Sequence, residues 1–336
     1  MKRCFLAACL CLLAGLASAQ AGAKWRAGTT EEQALDAAAF GNMAVLITEQ
    51  FADVQSVVVA QKGRVAFEFY RDGAPDKLRE VQSVAKSALT SLVGIAIAQG
   101  RIVSLDQPVV QLVPEWAPLN GDPRAAGITV RHLVTMSAGF EVNDPTGTAP
   151  AGQPADAWGR PLRSTPGEKF AYDNAIIPMV TAVLEKATGK SLAEFARQEI
   201  VTPLGMQEPS YERGLQLRTA DMARLGHLYL QNGNWGGRQV IPEAYARDAT
   251  RAHNKGGPPV SMPYGYMWWV VPSQLARPTF MASGYGGQVI WVYPPLDLVV
   301  AITSTVSPDS QRRGQAIQLL RGKLFNAARQ RASNGP

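Results

Sequence analysis

Strand-forming sequence lies near the two ends of this 336-residue chain and is scarce between them. Residues 56–61 and 64–70 are short runs rich in Val, Phe and Tyr joined by Lys62-Gly63, which is a hairpin signal. Strand-like runs return only at 266–271, 288–293 and 298–303, the last two joined at Pro294-Pro295. A helical segment flanks each group. Alanine-rich residues 29–50 precede the first, and residues 309–330 follow the second with Ile317, Leu320, Leu324 and Ala328 at helical spacing. Strands that arrive in hairpins pair antiparallel. The expectation is an α/β fold of the α+β kind: an antiparallel sheet assembled from both ends of the chain, flanked by helices, with a mainly helical second lobe inserted. The α/β lobe takes about 24–95 and 255–336, and the helical lobe about 96–254, where helices are expected near 176–187, 192–200 and 219–231. The two lobes form a single domain, and the cleft between them is the natural place for a site.

Residues 1–19 read as a signal peptide, with Lys2 and Arg3 as basic start, residues 4–15 as apolar core and Ala17-Ser18-Ala19 as cleavage site. Leu6-Ala7-Ala8-Cys9 imitates a lipoprotein box but leaves too short an apolar core before it, so cleavage after Ala19 is expected. The apolar run is too short to span a bilayer, and no later stretch qualifies, so no stable membrane insertion is expected after cleavage. Cys4, Cys9 and Cys11 all fall inside the signal, which excludes a thiol nucleophile, disulfides and cysteine-bound metal from the mature chain. Removing Lys2 and Arg3 leaves 31 of 33 basic residues against 27 acidic ones, a net charge of +4. The basic residues are scattered apart from Arg312, Arg313, Arg321, Lys323, Arg329 and Arg331, which read as a solvated helix face rather than a nucleic-acid patch. No nucleic-acid partner is expected, and His132, His227 and His253 show no metal-ligand spacing.

Within this frame Ser83-Val84-Ala85-Lys86 opens an apolar helical stripe (Leu89, Leu92, Val93, Ala96, Ile97) that ends at Gly100. Residues i and i+3 share a helix face, so the lysine reaches the serine oxygen. A lysine with a lowered pKa supplies the base that a weak serine nucleophile needs. Read alone, the pair is a helix cap followed by a surface lysine. Tyr172-Asp173-Asn174 is either punctuation before a helix or a phenol and an amide aimed at a substrate. Ser283-Gly284-Tyr285-Gly286-Gly287 is either a glycine-rich turn or a strand entry whose N–H groups bind an oxyanion. Of Trp268 and Trp269, one is expected in the core and the other at the cleft, without a choice between them.

This order of motifs resembles the serine hydrolases related to class C β-lactamases, a superfamily with DD-peptidases, family VIII esterases, D-aminopeptidases and 6-aminohexanoate-oligomer hydrolases. Further stretches are similar to that family's text: Ile128-Thr-Val-Arg-His-Leu-Val-Thr-Met-Ser-Ala-Gly139, Pro166-Gly-Glu-Lys-Phe-Ala-Tyr-Asp-Asn174, Pro203-Leu-Gly-Met206 and Tyr264-Gly-Tyr-Met-Trp-Trp269. The resemblance implies a β-lactamase/transpeptidase-like fold, so that 20–336 is one catalytic domain. It implies Ser83 as the acylated nucleophile, Lys86 and Tyr172 as general base and acid, and Asn174 holding Lys86 and the substrate. Ser283, Gly284 and Gly286 are then the substrate-binding and oxyanion positions, with Gly286 as second N–H donor. No metal or cofactor is implied.

One departure matters. β-Lactamases and penicillin-binding proteins usually carry a cation at the third motif, as in Lys-Thr-Gly, where Ser283-Gly284-Tyr285 has none. The expected activity is therefore hydrolysis of an uncharged ester or amide, small-molecule or peptide, in the periplasm or medium. A β-lactamase or DD-peptidase is the alternative. A non-catalytic peptidoglycan- or penicillin-binding module is the reading from another class.

Overall fold

In this computed structural model residues 25–142, 151–306 and 314–335 are described, so the signal peptide reading lies outside the described residues. Among them no helix is long and apolar enough to cross a membrane. The chain opens with helices α1 (Thr30–Phe40) and α2 (Met43–Gln50), then the hairpin β1 (Val54–Gln61) and β2 (Arg64–Tyr70). Lys62 and Gly63 both take positive φ, 53° and 73°, as the two-residue turn of a right-twisted hairpin requires. A short strand β3 (Arg79–Glu80) leads into helix α3 (Val84–Ala98). The inserted helices include α4 (Val130–Val134) and α5 (Ile176–Thr188), and β3 pairs with β4 (Gln216–Leu217). Helix α6 (Thr219–Leu230), a small hairpin β5 (Asn234–Trp235) and β6 (Arg238–Gln239), and α7 (Glu243–Ala249) follow. The chain then adds β7 (Asn254–Gly257), β8 (Met262–Tyr264), β9 (Trp269–Val270), β10 (Phe280–Gly284), β11 (Gln288–Tyr293) and β12 (Leu298–Ser304). Helices α8 (Gln315–Leu319) and α9 (Phe325–Ser333) end it, joined by a wider helical turn.

The main sheet has eight antiparallel strands in the order β2-β1-β12-β11-β10-β9-β8-β7. The first hairpin thus docks on the last strand, and β1 is buried along most of its length because a strand covers each edge and helices cover each face. Side chains alternate across it. Val57 and Val59 meet α1, α2, α8 and α9, while Val58 and Ala60 face the core that holds α3, α5 and α6. Three layers result: terminal helices, sheet, internal helices.

Four sequence expectations differ from what is observed. The helix read across 29–50 is two helices, parted at Gly41-Asn42, where a poor helix former meets a side chain that competes for backbone hydrogen bonds. The strand read across 266–271 is only Trp269–Val270, because Met267 sits at φ 57°. Helix α6, placed with the inserted lobe, lies on the sheet: an added Cβ at Gly226 would come 2.7 Å from Ile290 and Val299. Arg331, grouped with a solvated face, is 3% exposed and donates to Asp36 at 2.5 Å. That carboxylate also receives two bonds from buried Arg64, so one side chain of α1 joins β2 to α9. Arg312 and Arg313 lie outside the described residues.

Candidate active site

Four of the residues singled out in the sequence meet at the start of α3. Strand β3 delivers Val81, whose N–H donates to the Leu215 carbonyl at 3.2 Å, and the chain then turns sharply into the helix. Gln82 makes that turn at φ 51°, a left-handed conformation that a side-chain-bearing residue holds only at a cost of about 1–3 kcal/mol. Ser83 follows at the helix entry, and the turn's own hydrogen bonds begin one residue later, from Val84 N–H to the Val81 carbonyl at 3.1 Å. α3 is apolar almost all round, so it runs buried, and Lys86 goes in with it at 1% exposure.

Lys86 Nζ donates to Ser83 Oγ at 3.0 Å and to Asn174 Oδ1 at 2.8 Å. It also stands 4.6 Å from the centre of the Tyr172 ring. Burial pushes the amine down from 10.5 to about 7, against the opposing pull of nearby Asp173. The Tyr172 phenol is hydrogen-bonded to Ser83, and burial pushes it up to about 12. At neutral pH the site therefore holds an amine poised between its two forms and a phenol that keeps its proton.

The alternating loop Tyr172-Asp173-Asn174 sorts its side chains. Tyr172 and Asn174 turn to Lys86. Asp173 turns away, accepting from Arg160 Nη2 at 2.5 Å and from the Ala175 N–H at 2.9 Å. Asn174 does not cap α5: its side-chain oxygen accepts from Lys86, and the Ala175 N–H just ahead of the helix goes to Asp173. Tyr172 is itself held by Trp269, stacked on it with ring centres 5.8 Å apart, while Phe170 and Tyr264 meet Trp269 edge-on. The expectation that one tryptophan lines the cleft does not hold, because both are buried and neither lines the cavity beside Ser83: Trp268 packs on Tyr229 and Phe280 in the core, and Trp269 backs the phenol.

The third motif reaches the same place from the sheet. Gly284, at the end of β10, passes so close to the turn that carries Ser83 that a Cβ there would lie 2.6 Å from the Val81 carbonyl oxygen. Ser283 holds a strand position opposite Val289. Gly286, at φ 81°, packs against Val306 and Thr305, and Tyr285 lines the cavity beside Ser83. That cavity, about 890 Å³, is lined by Ser83 and Asn174 and by residues of α3 and the inserted helices. Sequence reasoning missed Gln82, Arg160 and the role of Trp269; the aromatic run 264–269 was the available signal for the last.

The histidines stand elsewhere. His132 Nδ1 accepts from the Thr129 N–H at 3.1 Å, His227 packs between Trp25 and Trp235, and His253 stacks on Tyr266. Among the described residues no cluster of His, Asp and Glu is suited to a metal ion.

The sequence model of the Beta-lactamase family matches residues 32–323. A 6-aminohexanoate-dimer hydrolase of Paenarthrobacter ureafaciens is 26% identical over 294 residues, covering 76% of this chain and 73% of that protein. Esterase EstB of Burkholderia gladioli is 28% identical over 151 residues, 40% of this chain and 38% of the esterase. A penicillin-binding protein homologue from Caulobacter crescentus shares the fold at a TM-score of 0.66 and 15% identity, over 89% of this chain and 99% of that structure.

Proposed function

Since the chain belongs to the Beta-lactamase family, we propose that it is an exported serine hydrolase that cleaves an ester or amide through an acyl-enzyme on Ser83. The observation that carries this reading is the meeting of half-buried Ser83 and Asn174 with buried Lys86 and Tyr172 in one cluster at the cavity wall. Near pH 7 a substantial share of Lys86 is neutral, and the amine takes the proton from Ser83 Oγ as that oxygen bonds to the substrate carbonyl carbon. The oxyanion lies at the Ser83 N–H, with a second N–H from the 284–287 turn; losing one such donor typically costs about 3–4 kcal/mol. Tyr172 gives its proton to the leaving oxygen or nitrogen as the bond to carbon breaks, and recovers one through Lys86. Water then attacks the acyl-enzyme by the reverse relay, releasing the acid and restoring Ser83.

The choice of an uncharged substrate rests on the cavity. Among its described lining residues the one basic side chain is Arg213, which is 79% exposed and 3.8 Å from Glu80. A β-lactam carboxylate would lack the buried cation that usually receives it. Export rests on the basic start, apolar core and small-residue cleavage site of residues 1–19.

The test compares initial rates of residues 20–336 and its Ser83→Ala variant on a short-chain p-nitrophenyl ester and a chromogenic cephalosporin. Ester turnover well above cephalosporin turnover, both falling at least about a thousandfold in the variant, is expected. Faster cephalosporin turnover would make this a β-lactamase. A stable acylated protein without turnover would make it a binding module.

A further inference from the structure

We infer that the arm of the cavity beside α3 receives a straight, medium-length acyl chain, so that the preferred substrates are esters of roughly eight- to ten-carbon fatty acids; this rests on the serine-hydrolase reading above. Starting at Ser83, the side chains of Ala85, Ala88 and Leu92 line the arm at positions three and four apart, one stripe of the helix surface. Leu192, Ile200 and Leu217 line the same cavity. Both alanines are only partly buried although they lie next to the core, so the space above them is open rather than filled.

Length follows from the helix. From Ser83 to Leu92 the axis advances about 13 Å at 1.5 Å per residue. An extended chain covers about 3.5 Å per three bonds, so the arm spans about eleven bonds, enough for a ten-carbon acyl chain on Ser83. Chemistry follows from the walls, which offer dispersion and desolvation but no hydrogen-bonding partner along that stripe; a methylene chain suits them and a peptide does not.

The side of the scissile bond follows from the catalytic cluster. Asn174 lines the cavity, whereas Tyr172, the proton donor to the leaving group, does not. The leaving group exits toward the phenol, and the arm is left to the acyl chain.

The experiment measures kcat/KM of the wild-type protein on p-nitrophenyl esters from acetate to laurate, and on acetate esters of alcohols of matching length. Each methylene buried is worth about a factor of four at most, so partial burial predicts a rise of about a hundredfold from acetate to octanoate. Ala88→Phe, checked for native circular dichroism, is expected to lower the octanoate-to-acetate ratio at least about tenfold by shortening the arm. Rates that fall beyond butyrate, a preference that follows the alcohol instead, or an unchanged ratio in the folded variant would each overturn the acyl arm while leaving Ser83-dependent hydrolysis standing. No Ser83-dependent turnover on any ester would overturn both readings together.

Discussion

Lys86 is the residue whose environment does most to define this site. Its side chain is long enough to reach Ser83 only from one turn away, and α3 is buried so thoroughly that the amine cannot stay hydrated. That has two measurable effects. As the base proposed for Ser83 the amine is needed neutral, so kcat/KM is expected to rise with pH through about 7 and then level, and because Tyr172 stays protonated to about 12 no falling limb is expected below strongly alkaline pH. A pH–rate profile with its limb near 10 would remove Lys86 as the base. The second effect is on stability. The folded pKa of about 7 lies below the ordinary 10.5, so between those values the unfolded chain binds more protons and stability increases with pH. Below about 7 both states are protonated and the cost of burying the ammonium is fully present. Lys86→Met should therefore melt higher relative to wild type at pH 6 than at pH 10, with turnover abolished; a constant difference would contradict the burial argument. The lysine and serine were legible in the sequence because their spacing encodes their contact. Trp269 was not, since nothing in a Trp-Trp pair says which ring faces the phenol.

Among the elements, α3 and β10 make the site by meeting end to end. Gly284 permits that meeting, so Gly284→Ala should push the Ser83 turn aside and lower kcat/KM about a hundredfold, as small displacements of a nucleophile do. Full activity in that variant would mean that the turn and the strand are free to part. Gly226 plays a purely structural counterpart on α6: an alanine there overpacks against Ile290 and Val299, and urea unfolding should show a loss of about 1–3 kcal/mol. Elements were legible where local chemistry decided them. Lys62-Gly63 marked its hairpin, and the periodic apolar residues of α5 and α6 marked their helices. They were illegible where tertiary contacts decided. Strands β7 and β8 are short and rich in Gly and Pro, and are placed by pairing, β7 on β8 and β8 on β9, rather than by strand-forming residues of their own. The residues of α6 carry helix periodicity, but no signal in them says that the stripe lies on a sheet rather than on other helices.

At the scale of the whole molecule, the architecture is closed by a few contacts between distant parts of the chain. Asp36 holds Arg64 and Arg331 in a nearly dry triad behind the sheet. Removing it leaves buried Arg331 without its carboxylate and Arg64 with only the longer carboxylate contact to Glu32 at 3.4 Å, and Asp36→Ala is expected to cost about 3–5 kcal/mol while sparing the distant Ser83 cluster in the fraction that stays folded. A loss under 1 kcal/mol by chemical denaturation would show that water reaches the triad. The same closure appears in the pairing of β1 with β12, where the hydroxyls of Ser56 and Thr303 are bonded across 247 positions of sequence. A ribosome adding 5–20 residues per second takes about 12–50 s to cover that distance. For that whole interval the first hairpin exists without the strand that completes its sheet. The sheet therefore cannot close until synthesis is nearly over, and the export proposed above would meet a chain still largely open, which is the form a narrow translocation channel accepts.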